Sequence, residues 1–171
     1  MFLVYGGEEE LCVKGYADAS FQTYRDDCRS QTRFVYVMNG GAVSWTSSKQ
    51  DTVADSTTEA EYIAACEAAK EGVWIRKFLE DFGVFLGWAK PLDLYCDNLG
   101  AIAHAKEPRQ HHKTRHIDRK YHLIRNLVAK GDTNLCKIHT DANIADPLTK
   151  PLPQPKHEGH VTAMGIRCLF D

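Results

Sequence analysis

Four carboxylates occupy places in this 171-residue chain where acidic side chains can meet at one edge of a sheet. Asp18 lies near the end of the alternating run LCVKGYADA, and Asp97 directly follows the run LDLYC. Glu61 lies near the start of a helical segment, and Asp146 precedes a proline. Crowded carboxylates repel one another unless cations screen them, and Mg²⁺ prefers a few carboxylates with waters and phosphate oxygens. The set therefore indicates metal-assisted phosphodiester hydrolysis.

The stretch STTEAEYIAACEAAKEGVW, residues 56–74, assigns different roles to its first two glutamates. Its start has the form of a capping box, in which Ser56 accepts from the Glu59 amide and the Glu59 carboxylate reaches back to the Ser56 amide. Residues two apart on a helix point in well-separated directions, so Glu61 faces elsewhere. It shares a stripe of small or apolar residues with Ala65, Ala68, Gly72 and Ile75. A carboxylate buried there needs a cation or hydrogen-bond donors.

Composition predicts one compact domain, because 43% of the residues are hydrophobic and 26% are charged. The net charge of -2 argues by itself against strong attraction to nucleic acid, but the charge is segregated. Residues 106–130 hold eight Lys and Arg against two acids, a local charge of +6 that leaves -8 for the rest. A basic segment in an otherwise acidic chain suggests a phosphate-binding surface next to a metal centre.

The cysteines and the lengths of the apolar runs indicate the cellular compartment of the protein. The six cysteines form no C-x-x-C pair, and Cys96 and Cys136 lie in apolar runs, which favours a reducing compartment. The opening MFLVY is too short for the apolar region of a signal peptide, and no run approaches membrane-spanning length. We expect a soluble, intracellular protein, or a piece of one, without a membrane partner.

Hydrophobic periodicity and turn signals predict an α/β fold with a mixed sheet. The predicted strands cover residues 11–19, 34–38, 42–46, 92–96 and 134–138. The predicted helical segments cover residues 56–82, 99–105, 114–129 and 142–150. Three strands come first and pair antiparallel through an Asn-Gly-Gly turn, and the later alternation of helix and strand predicts parallel pairing. The short segment HVTAMGI in the tail is expected to dock on the core.

Six motifs carry a resemblance to a known family: GYADAS, GGAVSWTSSKQ, STTEAEYIA, YCDNLGAIA, HHKTRHIDRKYHLIR and IADPLTKPL. In this order and at these separations they resemble the ribonuclease H domain of copia-type LTR retrotransposon polyproteins. The resemblance covers residues 11–152. Residues 1–10 resemble the end of the link from reverse transcriptase, and residues 153–171 are expected to form a tail that packs on the domain.

The resemblance implies a ribonuclease H-like fold, a five-stranded mixed sheet flanked by helices, and hydrolysis of the RNA strand of RNA/DNA hybrids. It assigns catalysis and the holding of two Mg²⁺ ions, or of Mn²⁺ in their place, to Asp18, Glu61, Asp97 and Asp146. His139 would move protons or help the product to leave.

The same resemblance implies the partners of the domain. They are an RNA/DNA hybrid and the reverse transcriptase domain of the same polyprotein, and the isolated domain is expected to be monomeric. Contacts with the hybrid are assigned to Asn98, Lys113, Arg115, His116, Arg119 and Lys120. Contacts with phosphates position the substrate without reading its sequence, and 2′-hydroxyls distinguish RNA from DNA. The expected location is the cytoplasm, within virus-like particles, and the nucleus.

Each acid also has a simpler interpretation when it is considered alone. Asp18 can be a solvent-facing acid at a strand end, since carboxylates are mostly exposed. Asp97 with Asn98 can be a helix cap, and Pro147 at a first helical position favours capping by Asp146. Only their occurrence together with the six motifs favours a common site.

The histidines and the tryptophans each allow more than one interpretation. His111, His112, His116 and His122 could suggest zinc, but neighbouring cations and the lack of a nearby cysteine favour a solvated basic face. Trp45, Trp74 and Trp88 are expected to pack in the core or at an edge.

Two other functions compete with the ribonuclease H interpretation. An integrase-like strand-transfer enzyme has the same fold, but it would carry its glutamate on a late helix, whereas Glu61 lies on the first long helix. A catalytically silent or domesticated domain that binds nucleic acid or protein is the main competing hypothesis.

The basic segment generates a prediction about binding. Arg115→Glu combined with Lys120→Glu should weaken the affinity for an RNA/DNA hybrid and make its salt dependence shallower, because fewer counterions are released on binding. The slope of the logarithm of Kd against the logarithm of salt concentration measures this effect. An unchanged slope would remove the basic segment from the interface.

Overall fold

The computed structural model describes residues 1–6, 11–84, 90–107, 118–148 and 151–168, with only the backbone at residues 118–122. Its strands are β1 (Phe2–Leu3), β2 (Val13–Tyr24), β3 (Arg29–Met38), β4 (Gly41–Lys49), β5 (Leu92–Cys96), β6 (Thr133–Lys137) and β7 (Ile166–Arg167). Its α-helices are α1 (Thr57–Asp81), α2 (Leu99–Lys106), α3 (Asp118–Lys130) and α4 (Gln154–Ala163). Two single-turn 3₁₀ helices cover Thr140–Ala142 and Asp146–Leu148.

Within the described ranges, five of these strands form a mixed sheet in the order β4-β3-β2-β5-β6. Strands β2, β3 and β4 pair antiparallel in succession. Strand β5 runs parallel to β2, and β6 runs parallel to β5. Parallel neighbours require crossover connections, and α1 lies in the connection from β4 to β5. The predicted fold class, three antiparallel strands followed by parallel ones, is confirmed.

The turn between β3 and β4 has the backbone that the sequence predicts. Asn39 and Gly40 have φ angles of 51° and 75°, and Met38 pairs with Gly41 across the two-residue loop. Two consecutive residues with positive φ match the right-handed twist of a hairpin, and Asn-Gly adopts that conformation readily.

Helix α1 packs closely on the sheet through its small residues. Ala65, Ala68 and Gly72 are buried, and the Tyr36 hydroxyl of β3 donates a 2.6 Å hydrogen bond to the Ala68 carbonyl. A Cβ atom at Gly72 would lie 2.6 Å from the Tyr36 hydroxyl oxygen. The predicted stripe of small residues is therefore confirmed, and it holds the start of α1, with Glu61, against the sheet.

The opposite face of the sheet carries a smaller apolar cluster. It comprises Val35, Val37, Ala42, Ile144, Ala145 and Met164, with Tyr16 packed against it. Met164 follows α4, and its carbonyl accepts from the Ala42 amide at 2.9 Å. Strands β1 and β7 pair antiparallel, with Phe2 opposite Arg167 and Leu3 opposite Ile166. Helix α4 and both short strands were not predicted, because their sequences show little periodicity.

The helix predicted for residues 142–150 is wrong in its described part. Two 3₁₀ turns occupy Thr140–Ala142 and Asp146–Leu148 instead. The Asn143 side chain accepts from the Ala145 amide at 3.2 Å and donates to the Ala17 carbonyl at 3.0 Å. Such local bonding of an asparagine side chain competes with a helix, and it ties this segment to β2.

Two of the three tryptophans lie outside the core. Trp45 on the edge strand β4 is 59% exposed and Trp74 on α1 is 58% exposed. Trp74 stacks on Phe78 with ring centroids 5.1 Å apart. Trp88 lies outside the described residues. Among the described helices, none is both long and apolar enough to cross a membrane.

The close approach of α1 to β3 generates a prediction about stability. Gly72→Ala should lower the free energy of unfolding by about 1–3 kcal/mol, because the added methyl group overlaps the buried Tyr36 hydroxyl. Gly159→Ala in α4 is the matched control. Its Cβ would meet no atom within 4 Å, so the substitution should raise stability by about 1 kcal/mol. Urea unfolding measures both, and equal effects would contradict the proposed packing.

Candidate functional site

Strand β5 and the turn after it position Asp97. The strand ends at Cys96, and Asn98 caps α2 by accepting from the Ala101 amide at 3.0 Å. Asn98 is therefore the cap, which leaves the Asp97 side chain for another purpose. The Thr140 hydroxyl donates to Asp97 Oδ2 at 2.8 Å, and the Lys137 ammonium donates to the Asp97 carbonyl. The Asp97 carboxylate is thus oriented from the β6 side.

The start of α1 separates Glu59 from Glu61. Ser56 Oγ accepts from the Glu59 amide at 3.2 Å, which confirms the predicted cap. The Glu59 carboxylate accepts from the Asp55 amide at 2.7 Å, one residue before the amide we expected, because the extended backbone at Ser56 brings Asp55 within reach. Glu61 is only 8% exposed and lies on the face that packs on the sheet.

Glu61 and Asp97 meet at the end of β5. One donor atom each from Glu61, Cys96 and Asp97 lies within 4.8 Å of the other two. Burial is the main cause that raises the pKa of the Cys96 thiol to about 12, and the charges of Glu61, Asp97 and Asp18 add to it. The thiol is therefore neutral at physiological pH, and the two carboxylates supply the negative charge.

Asp18 lies close to this group but is bound to another residue. It is 1% exposed, so it is not the solvent-facing strand acid of the simpler interpretation. Strand alternation directs it to the same side as Tyr16, and Asp18 pairs in register with Arg33 on β3. Arg33 Nη1 lies 2.6 Å from Asp18 Oδ2, and both side chains are buried.

Asp146 is buried in the second 3₁₀ turn beside the C-terminal helix. Its Oδ2 lies 3.8 Å from the Lys156 ammonium of α4, which also donates to Asp141 at 2.6 Å. The buried His160 of the same helix completes this group, and desolvation lowers the pKa of its imidazole. Asp146 therefore links the turn to α4.

His139 lies next to Thr140, the residue that orients Asp97. Its side chain is 79% exposed, and Nδ1 accepts from the Asp141 amide at 3.2 Å, which caps the first 3₁₀ turn. Its predicted role in proton movement or product release stays a prediction.

The basic residues assigned to the hybrid remain predictions too. Lys113, Arg115 and His116 lie outside the described residues, as do His111 and His112. Arg119, Lys120 and His122 belong to α3, whose backbone alone is described there.

The donor set at the end of β5 fits a hard divalent cation. Carboxylate oxygens are the ligands that Mg²⁺ and Mn²⁺ prefer, and Glu61 and Asp97 provide them from two separate elements. A neutral thiol is a poor ligand for such ions, so the fit rests on the two carboxylates. Asp18 fits less well, because its Oδ2 already receives a guanidinium. Glu61 and Asp97 would therefore be the best-placed residues of this group to hold such a cation.

Two residues at the site, Arg33 and Thr140, were not found by sequence analysis. Arg33 precedes the predicted second strand, residues 34–38, whereas β3 begins at Arg29. Extending that strand backwards would have placed a charged residue at an inward position, which is the signal that was available. Thr140 carried no signal, because its contact with Asp97 spans 43 residues.

Comparison with solved structures defines the class of fold. LC11-RNase H1, isolated from compost by a metagenomic approach, superposes with a TM-score of 0.57 at 15% identity, over 80% of this chain and 91% of that one. The N-terminal RNase H domain of Rv2228c from Mycobacterium tuberculosis superposes with a TM-score of 0.55 at 12% identity, over 90% and 99%. The chain has the ribonuclease H fold.

Sequence comparison identifies the particular relatives. The chain is 42% identical over 156 residues to the retrovirus-related Pol polyprotein from transposon TNT 1-94 of Nicotiana tabacum, covering 91% of the chain and 11% of the polyprotein. It is 33% identical over 156 residues to that from transposon RE1 of Arabidopsis thaliana, covering 91% and 10%. No family model matches. The chain is homologous to a segment, about a tenth of the length, of the Pol polyproteins of plant copia-type retrotransposons, which confirms the resemblance drawn from its motifs.

The two glutamates at the start of α1 generate a prediction about cation binding. Glu61→Gln should weaken Mn²⁺ binding by about tenfold or more, because it removes one of two charged ligands. Glu59→Gln is the matched control and should bind Mn²⁺ like the unaltered protein, since its carboxylate accepts from the Asp55 amide. Isothermal titration calorimetry measures both affinities. Equal losses in the two variants would contradict the assignment.

Proposed function

We propose that this domain hydrolyses the RNA strand of RNA/DNA hybrids, as part of reverse transcription of a retrotransposon. The observation that carries the proposal is the convergence of Glu61 and Asp97 within 4.8 Å of each other in a ribonuclease H fold homologous to Pol polyproteins. A divalent cation, Mg²⁺ or Mn²⁺, would supply Lewis-acid polarisation of the scissile phosphate when bound there. Glu61 and Asp97 would hold it.

The surrounding residues would hold the Glu61 and Asp97 side chains in position before a cation binds. Thr140 orients the Asp97 carboxylate, and the cap at Ser56 together with the packing of α1 fixes Glu61. Preorganised ligands bind and position a charged substrate with little further cost in ordering. Asp146, another predicted ligand, would join the centre after its carboxylate leaves Lys156, whereas the carboxylate of Asp18 is engaged by Arg33.

The substrate assignment rests on charge and on the relatives. Residues 106–130 carry a local charge of +6, which suits a nucleic-acid backbone, and α2 begins next to Asp97. Asn98, as the cap of α2, would hold the first turn of that helix toward the hybrid. The reverse transcriptase segment of the same polyprotein would be the neighbouring partner, acting in virus-like particles in the cytoplasm and in the nucleus.

A catalytically silent nucleic-acid-binding domain of the same fold is the second candidate. The ion pair between Asp18 and Arg33 favours it, because that pair neutralises one of the predicted metal ligands. Incubation of the purified chain with a labelled RNA/DNA hybrid separates the candidates. Mg²⁺-dependent cleavage supports the enzyme, and binding without cleavage supports the silent domain.

Replacement of one ligand tests the catalytic assignment. Asp97→Asn should abolish Mg²⁺-dependent cleavage of the hybrid while its binding survives, because the substitution removes a metal ligand and keeps the shape of the side chain. Asp93→Asn on the same strand is the control and should cleave normally, since Asp93 accepts from Asn134 away from the cluster. Near-normal turnover by Asp97→Asn would exclude its role as a ligand.

A further inference from the structure

Arg33 is the most unusual charged residue among those described. Its side chain is 0% exposed, and its Nη1 lies 2.6 Å from Asp18 Oδ2. Its Nε and Nη2 are also buried, and they have no hydrogen-bond partner among the described residues. Buried polar groups nearly always find partners, and a buried charge is tolerated only beside an opposite charge. The Asp18 carboxylate thus offsets the energetic cost of burying the Arg33 guanidinium.

The sheet holds Arg33 in this position. Strand β3 lies between β2 and β4, and Arg33 pairs with Asp18 on one side and with Ser47 on the other. Backbone hydrogen bonds on both sides fix the direction of its side chain. Arginine side chains are cationic, so Arg33 places a positive charge at a fixed point of the domain.

A divalent ion at Asp18 would compete with this guanidinium. The carboxylate oxygen at 2.6 Å from Arg33 Nη1 is occupied by a strong, charge-assisted hydrogen bond. A second cation on the same carboxylate would also be repelled by the guanidinium at short range. Glu61 and Asp97 form the candidate cation group with Cys96, and Asp18 is not a member of it in the described part of the chain.

We propose that Arg33 is a built-in counter-ion of Asp18, which keeps divalent cations off this carboxylate and confines them to the Glu61 and Asp97 pair. This inference rests on the cation site of the proposed function and specifies which of its carboxylates bind. Loss of the guanidinium makes Asp18 available as an additional ligand. The domain therefore holds fewer divalent cations, and holds them more weakly, than its carboxylates alone would allow.

Mn²⁺ titration of the full chain without nucleic acid tests the inference. In calorimetry, Arg33→Ala should bind Mn²⁺ about tenfold or more tightly than the unaltered protein, or with an additional site, because a repelling charge is removed and a ligand is released. Asp18→Asn added to Arg33→Ala should abolish the gain. Arg29→Ala, on the same strand but in a half-exposed pair with Asp27, is the control and should leave Mn²⁺ affinity unchanged.

Stability in Mn²⁺ gives a second measurement. Arg33→Ala leaves the buried Asp18 charge without its counter-ion, so this variant should melt at a lower temperature when no metal is added. Mn²⁺ should then raise its Tm more than that of the unaltered protein, because the ion binds the folded state preferentially. An Arg33→Ala protein that folds but shows neither tighter binding nor this larger rise in Tm would overturn the inference.

A double variant keeps the test decisive if Arg33→Ala fails to fold. Arg33→Met with Asp18→Asn removes both charges and keeps similar volume, a change that buried ion pairs often tolerate. Its Mn²⁺ affinity should stay within about threefold of the unaltered protein, because Asp18 contributes no binding there. A loss of about tenfold or more would show that Asp18 binds the ion despite Arg33.

These measurements separate the inference from the proposed function. The expected Mn²⁺ effects in the variants, combined with no cleavage of a hybrid by the unaltered protein, would refute the enzyme and leave the counter-ion role standing. Cleavage by the unaltered protein, combined with Mn²⁺ binding that Arg33→Ala does not change, would refute the counter-ion role alone.

Discussion

The parallel pairing of β2 with β5 is the constraint on which the site depends. Its register places Ala17 opposite Cys96, so Asp18 and Asp97 each come one residue beyond a position paired between these two strands. Two acids that are 79 residues apart in the chain are thereby brought to the same end of the sheet. Parallel strands direct their carboxyl ends to one edge, which is where binding sites form in such sheets. A shift of one residue in this register would turn one carboxylate to the other face.

Close helix packing supplies the third acid. Helix α1 approaches β3 closely because alanines and Gly72 face the sheet and the Tyr36 hydroxyl binds the Ala68 carbonyl. Larger side chains would hold the helix farther away and would carry Glu61 away from Asp97. The apolar packing in the middle of α1 is therefore coupled to the electrostatics at its start, and the cap at Ser56 ensures that the helix begins where Glu61 faces inward.

The four predicted metal ligands have different surroundings in the structure. Asp18 pairs with the buried Arg33, and Asp146 lies 3.8 Å from the Lys156 ammonium. Asp97 accepts from the uncharged Thr140, and Glu61 lies beside it and beside the neutral Cys96 thiol. An acid that already faces a fixed cation has less to gain from a metal ion than one whose carboxylate meets a neutral donor. The four acids, which look alike in the sequence, therefore fall into two pairs: Asp18 and Asp146 lie near cations, and Glu61 and Asp97 lie near neutral groups.

The sequence by itself determined the features that act over a few residues. These include the cap at Ser56, the Asn39-Gly40 turn, the small-residue face of α1, and the order along the chain of α1, α2, α3 and the five strands of the main sheet. It also placed Asp97 at the end of its strand, and its motifs identified the family. Only the tertiary structure decided that Arg33 meets Asp18, that Thr140 orients Asp97, and that two 3₁₀ turns replace the expected helix near Asp146. Capping, turn and periodicity signals are local, whereas these contacts depend on strand register and on neighbours that approach from distant parts of the chain.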